Sequence, residues 1–273
     1  MIYIIKNKYI TLSVNSDGGS MTSINYLGEE RLWQGSEYWR SQDIVIFPVV
    51  GHAEDYTAEG KTYSPKSHGV ARYAEFALAD IGLDKLTLEL TSNAVTRKTY
   101  PYDFDFKITY KLKKNKIEIT YSVQSPNGKI PFYVGGHPGM IAPGGEAVIE
   151  FEHEESPVFY PLDGEEPVKL DTLKRFVANK EFFKKYKTFR ISGLSGGAVT
   201  AETGDGYKYT YRADCPVYAF WSNEDGGDYI CVEPWWGISD CLNSPSELSQ
   251  KPFINFADEK GKDFTFTLEI NKV

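Results

Sequence analysis

The sequence predicts an all-β fold, a large antiparallel β-sandwich with a few short helices. Three observations carry that reading. Hydrophobicity alternates with a period of two along most of the chain, as it does in strands with one buried face. The alternating segments are separated by breaks rich in Gly, Pro, Asn and Asp, without the strand–helix rhythm that parallel sheets need. Aromatic residues reach 15% (19 Tyr, 16 Phe, 5 Trp), and flat side chains pack well on pleated surfaces.

Taken in order, Tyr9 to Val14 alternates and runs into the turn cluster NSDGGS, after which Met21 to Tyr26 resumes the pattern. A hairpin is expected there. The apolar run Ile44–Val50 (IVIFPVV) reads as a central strand covered on both faces, as does Tyr229–Val232. Alternation returns over Leu86–Ser92 and then in FDFKITYKL (Phe104–Leu112) and KIEITYSVQ (Lys116–Gln124). The short Lys/Asn turn between the last two makes them the clearest antiparallel pair. Tyr207–Tyr211, Val217–Trp221 and Phe264–Ile270 complete the strand set. Leu173 to Phe189, apolar at mixed spacing and rich in Lys, is expected to form one or two short helices. Ser244–Pro245–Ser246–Glu247 resembles the start of a single helical turn, with Ser as cap and Pro in the first turn. Without repeats, low-complexity stretches or Ser/Gly-rich linkers, residues 1–273 read as one domain.

Charge and cysteine content exclude several classes. A formal net charge of -8 offers no basic face for nucleic acid. The cluster Lys111, Lys113, Lys114, Lys116 reads as a solvated hairpin turn. Three cysteines (Cys215, Cys231, Cys241) without CxxC spacing point to free thiols in a reducing compartment. MIYIIKNKYI lacks the basic and apolar regions of a secretion signal, and no apolar run approaches the roughly 20 residues of a membrane span. A cytoplasmic location without membrane partners is the expectation.

The four histidines are easily weighed. His153, among glutamates in EFEHEES, reads as a surface residue. His52 ends the apolar run in FPVVGH, and His68 lies in the loop KSHGVAR. His137 follows a strand and two glycines in FYVGGHPG. Gly135 and Gly136 permit a bulge or a close approach, and Pro138 biases His137 away from helical geometry. An imidazole held rigidly at a strand end follows, either structural or catalytic. Glu233, in CVEPWWGISD (residues 231–240), lies between an apolar strand and two tryptophans. So buried a carboxylate is paired, hydrogen-bonded or neutral, and desolvation raises its basicity. Trp235 and Trp236 are candidates for core packing or for stacking on a sugar face.

The segments RLWQG…YWR (residues 31–40), IFPVVG, GKTYSPKSHGVAR, GGHPG and CVEPWWGISD occur in that order at suitable separations. Together they resemble the aldose 1-epimerase (galactose mutarotase-like) family, in particular a bacterial branch that includes proteins encoded beside lactose or tagatose pathway genes. The resemblance implies a β-sandwich with an open sugar-binding groove and no cofactor or metal. By match to the family's motifs, His137 is the general acid, Glu233 the general base, and His68 a second histidine that positions the sugar. Where relatives commonly carry an arginine that binds sugar hydroxyls, this chain has His52; Arg40 or Arg72 is then the alternative guanidinium. The implied substrate is a small sugar, its α and β anomers interconverted by ring opening and closure, with a bell-shaped pH profile expected for turnover. Monomer and homodimer both remain open.

Three rival readings accompany this one. His52, His68, His137 and Glu233 form a metal-ligand set of cupin type, although no HxH pair occurs. A catalytically silent sugar-binding protein on the same sandwich fits the change at His52. A sugar-phosphate substrate would call on Arg40, Arg72, Lys61 and Lys66.

Overall fold

A computed structural model of the chain describes residues 1–52, 54–162 and 164–273. Among these, strands dominate and every ladder between them is antiparallel. A nine-stranded sheet runs, edge to edge, through strands Leu173–Ala178, Ala147–Glu155, Ala198–Thr203, Tyr207–Ala213, Lys262–Lys272, Lys116–Gln124, Asp105–Lys113, Lys85–Thr91 and Ala77–Ile81. The period-two segments set its register. In Asp105–Lys113 and Lys116–Gln124 the buried positions alternate strictly, placing Phe106, Ile108, Tyr110, Ile117, Ile119 and Tyr121 on the inner face. Their hairpin turns at Lys114 (φ 56°), and its lysines point to solvent or pair with Glu118 and Glu269.

A second, eight-stranded sheet faces the first. Its central strand, Tyr229–Trp236, is buried at every position, as expected for a strand covered on both sides. Val217–Trp221 flanks it on one side; on the other lie Val134–Gly136 and, further along, Gly139–Ile141. The sheets meet through aromatic contacts such as Phe151–Phe220 (6.5 Å between centroids) and Trp236–Phe264 (5.4 Å). Each fully buried aromatic of this kind contributes about 1.5–3 kcal/mol through burial. A four-stranded N-terminal meander, which includes the expected Ile10–Asn15/Met21–Tyr26 hairpin, adds Leu12, Val14 and Ile24 to the same core.

Three local expectations are corrected. Leu173–Ala178 is an edge strand, and only Lys180–Tyr186 is helical, capped by Asn179, whose side chain accepts from the Phe182 amide (3.0 Å). The strand pairs with Ala147–Glu155, and that tertiary pairing outweighs the helix-compatible spacing. The helical turn near Ser244 starts later, at Leu248–Gln250, because the Ser244 hydroxyl is engaged by the Cys241 amide (3.1 Å). The run Ile44–Val50 is buried, but only Val45–Ile46 is strand, since Pro48 has no N–H to continue the ladder. No helix among the described residues is long and apolar enough to cross a membrane.

Candidate active site

The strand Tyr229–Trp236 brings Glu233 to the floor of a cavity of about 550 Å³. His137 comes from the neighbouring segment of the same sheet, between strands Val134–Gly136 and Gly139–Ile141. The register Gly135↔Trp235 on one side and Gly139↔Cys231 on the other puts His137 directly across from Glu233. The glycines before it serve close packing. A Cβ on Gly135 would lie 2.9 Å from the Pro234 carbonyl oxygen, and one on Gly136 would lie 2.9 Å from Phe266 and 3.1 Å from the Tyr121 hydroxyl. His137 Nε2 stands 3.4 Å from Glu233 Oε2. Both side chains are almost wholly buried, at 6% and 1% exposure, and both line the cavity.

Electrostatics follow from burial. Desolvation lowers the His137 imidazole to about 3, with Arg72 adding to the effect. Desolvation also pushes Glu233 well above the usual carboxylate range; the neighbouring indole of Trp235 opposes the shift and Asp43 adds to it. Burial therefore favours the neutral form of each group. His137 Nδ1, both Glu233 carboxyl oxygens and Trp235 Nε1 have no hydrogen-bond partner among the described residues. Each such buried group costs about 1–3 kcal/mol. Four such atoms on three side chains, gathered along and beside one strand, mark a place built for a polar ligand.

His68 reaches the cavity from a loop that only glycine completes. Gly69 has φ +82°, and a Cβ there would lie 2.3 Å from the Phe47 carbonyl oxygen. His68 Nδ1 accepts the Gly51 amide (3.2 Å), and burial lowers its pKa well below the usual value. The neutral ring accordingly carries its proton on Nε2 and acts as a hydrogen-bond donor. Its edge meets the His137 ring at 5.4 Å. His52, Arg72 and Trp235 also line the cavity, and Arg72 makes no ion pair among the described residues. Arg40 is exposed and lies outside it. Trp236 lies outside as well, packed on Phe264 with its indole N–H donating to the Asp214 carbonyl (2.6 Å). Successive residues of one strand face opposite ways, so Trp235 and Trp236 could not share the cavity. Lys61 and Lys66 are likewise not among its walls.

Four further residues shape the site without having been singled out from sequence. Trp39 stacks on His137 (5.2 Å, 25°), and Trp221 meets the same ring edge-on (5.6 Å). Asp43, buried and raised to about 6 by desolvation, accepts from the Met21 amide (3.0 Å), with the Ile44 and His137 amides opposing the rise. Arg190, fully buried, donates to the carbonyls of Tyr160 (3.0 Å), Pro161, Ser239 (3.0 Å) and Asp240 (3.2 Å). It thereby ties together the two loops that supply Leu162, Ser239 and Asp240 to the cavity. The available signals were a charge inside the short strand FRIS and a charge abutting an apolar run.

Comparison with known proteins gives this geometry its context. A model of the Aldose 1-epimerase family matches residues 1–163, a stretch that includes His137 and stops before Glu233. The chromosomal protein LacX of Lactococcus lactis subsp. lactis is 28% identical over 279 aligned residues, covering 92% of each chain. The crystal structure of a galactose mutarotase related enzyme from Lactobacillus acidophilus superposes with a TM-score of 0.92 at 28% identity, over 100% of this chain and 98% of that one. A galactose mutarotase-like protein from Lactobacillus casei has the same fold, with a TM-score of 0.92 at 20% identity over 99% and 100% of the two chains. The architecture is thus that of the mutarotase-like sandwich and not of a cupin barrel.

Proposed function

Since the chain belongs to the aldose 1-epimerase family, we propose that it is an isomerase that interconverts the α and β anomers of an aldohexose, with His137 and Glu233 as its acid–base pair. The observation that carries this reading is the opposed, unsatisfied pair at 3.4 Å on the floor of one cavity. Anomerisation needs one group to take the proton from the anomeric hydroxyl and another to give a proton to the ring oxygen. Glu233 as carboxylate takes the first, His137 as imidazolium gives the second, and the C1–O5 bond breaks. The aldehyde turns about C1–C2, and the two transfers run in reverse on the other face. No proton is gained or lost overall. Each such group contributes about 10²–10⁴-fold.

The protonation pattern that burial favours has a specific place in that cycle. Neutral His137 with protonated Glu233 is the state the pair reaches when it holds the open-chain aldehyde. Desolvation therefore favours the intermediate's protonation pattern, and a sugar hydroxyl that hydrogen-bonds Glu233 draws the proton back toward His137. His68, a neutral donor, supports the ring oxygen or a hydroxyl beside it. Trp235 offers an apolar wall on the same face as Glu233.

An unphosphorylated sugar is favoured. Of the four cations that a phosphate would call on, only Arg72 lines the cavity, and the carboxylates of Glu54 and Asp240 line it too. Polarimetry on freshly dissolved α-glucose and α-galactose, followed by a hexose 6-phosphate, tests this. The free sugars should relax faster with the protein than without it, and the phosphate should gain less. A protein that binds a free sugar but leaves its mutarotation rate unchanged is a silent binder, and the proposal falls.

A further inference from the structure

We propose that Cys231, together with His137 and Glu233, forms a site for a thiophilic divalent cation of the zinc class, and that this ion and the sugar exclude one another. The second half of this statement rests on the acid–base reading above; the first does not. Cys231 and Glu233 alternate onto one face of the Tyr229–Trp236 strand, and His137 lies across from Glu233. One donor atom from each of the three lies within 4.8 Å of the others, with the His137–Glu233 pair at 3.4 Å. Ligand atoms around tetrahedral zinc, with bonds of about 2.0–2.3 Å, stand about 3.3–3.6 Å apart. The imidazole–carboxylate spacing already matches, and the thiol needs only a modest approach.

The donor set decides the kind of ion. A thiol beside an imidazole selects zinc over magnesium or calcium, which prefer all-oxygen cages. Thiolate and carboxylate together carry two negative charges, so a divalent ion makes a neutral complex and leaves no net charge buried in the core. Two protons leave for solvent, one from the thiol and the one shared by His137 and Glu233. Three protein ligands with a fourth position toward the cavity is the arrangement of an open zinc site. The Glu233 oxygens, buried and without a hydrogen-bond partner among the described residues, leave acceptor capacity at the cluster for such an ion. Cys231 is itself fully buried, which leaves the cavity side, through His137 and Glu233, as the way in.

Cobalt(II), a coloured stand-in for zinc, provides the test on the full chain, alongside polarimetric rates with and without zinc. The parent should develop a near-ultraviolet thiolate-to-cobalt band, lose it in C231S, and lose it progressively as an accepted sugar is added. Zinc should slow parent mutarotation at least tenfold, and the ratio of rates with and without zinc should approach one in C231S. C231A, which buries no hydroxyl, is the second variant, with thermal melts on both to confirm folding. A parent without the band, or a folded C231S and C231A as zinc-sensitive as the parent, overturns the site. A band in the parent with no mutarotation under any condition upholds the metal site and removes the catalytic reading.

Discussion

The indole of Trp39 lies over the imidazole of His137, with 5.2 Å between ring centroids and 25° between their planes. Trp221 closes a second side of the same ring at 5.6 Å. The histidine is thus held between aromatic walls, and its Nδ1 has no hydrogen-bond partner among the described residues. Trp39 is held in turn, because a Cβ on Gly139 would lie 2.4 Å from its ring.

Trp39 therefore acts on turnover through the placement of His137. Misplacing a reacting group by about 1 Å can cost about 10²-fold. W39A should lower kcat about tenfold to a hundredfold, whereas W39F, which retains a flat wall, should keep most of it. Polarimetric kcat and KM for both variants check this, and equal losses in the two would show that ring stacking is not what matters.

Glu233 should make the protein less stable than its amide variant at neutral pH. Its folded pKa is raised, so the native state keeps the proton after the unfolded chain has released it. Stability associated with this group is complete below the unfolded value of about 4.3 and is lost as pH rises from there toward the folded value. E233Q, which cannot ionise, escapes that loss. Urea titrations should find parent and E233Q similar near pH 4, with the variant gaining by up to about 1.4 kcal/mol per pH unit above that. A gap that stays constant with pH would mean that Glu233 is ionised in the folded protein.

The same burial reshapes the pH dependence of turnover. Unperturbed groups would give a narrow bell bounded by about 4.3 for the carboxylate and about 6.5 for the imidazole. Here the His137 pKa is lowered to about 3 and that of Glu233 raised, so the one-proton state of the pair covers a wider pH range than it would for unperturbed groups. The profile should be a broadened bell, its acid limb far below the 6.5 of free imidazole and its basic limb above the ordinary carboxylate range. An acid limb with its midpoint between pH 6 and 7 would contradict a desolvated His137.

Arg190 should matter for stability without touching the sugar. Its guanidinium serves four backbone carbonyls, and burial lowers its pKa to about 10. R190M keeps much of the volume but strands those acceptors, which should cost about 3–5 kcal/mol by urea unfolding. The loops carrying Leu162, Ser239 and Asp240 loosen with it, so KM should rise more than kcat falls.

The strands were legible because their burial is one-sided. Asp105–Lys113 and Lys116–Gln124 announce their own inner faces, and Tyr229–Trp236 announces burial on both. Leu173–Ala178 was not legible, since its identity as an edge strand depends on pairing with residues 18 to 31 positions away. Among site residues, His68, His137 and Glu233 stood out through glycine, proline and an apolar setting that has no other use for them. Arg40 and Trp236 lay close in sequence to cavity residues but point elsewhere, and side-chain direction is set by pairing that no single segment encodes. Trp39, Asp43 and Arg190 act through contacts with residues distant in the chain, and the isolated charges of Asp43 and Arg190 in apolar settings are the trace that the sequence carries of the last two.

The most direct test of the acid–base pair is the rate at which a fresh α-anomer relaxes with H137N and with E233Q, using whichever of glucose or galactose the parent accepts. Each variant, folded by circular dichroism, should relax it about 10²–10⁴-fold more slowly than the parent. Relaxation at the parent's rate by either folded variant would contradict the account.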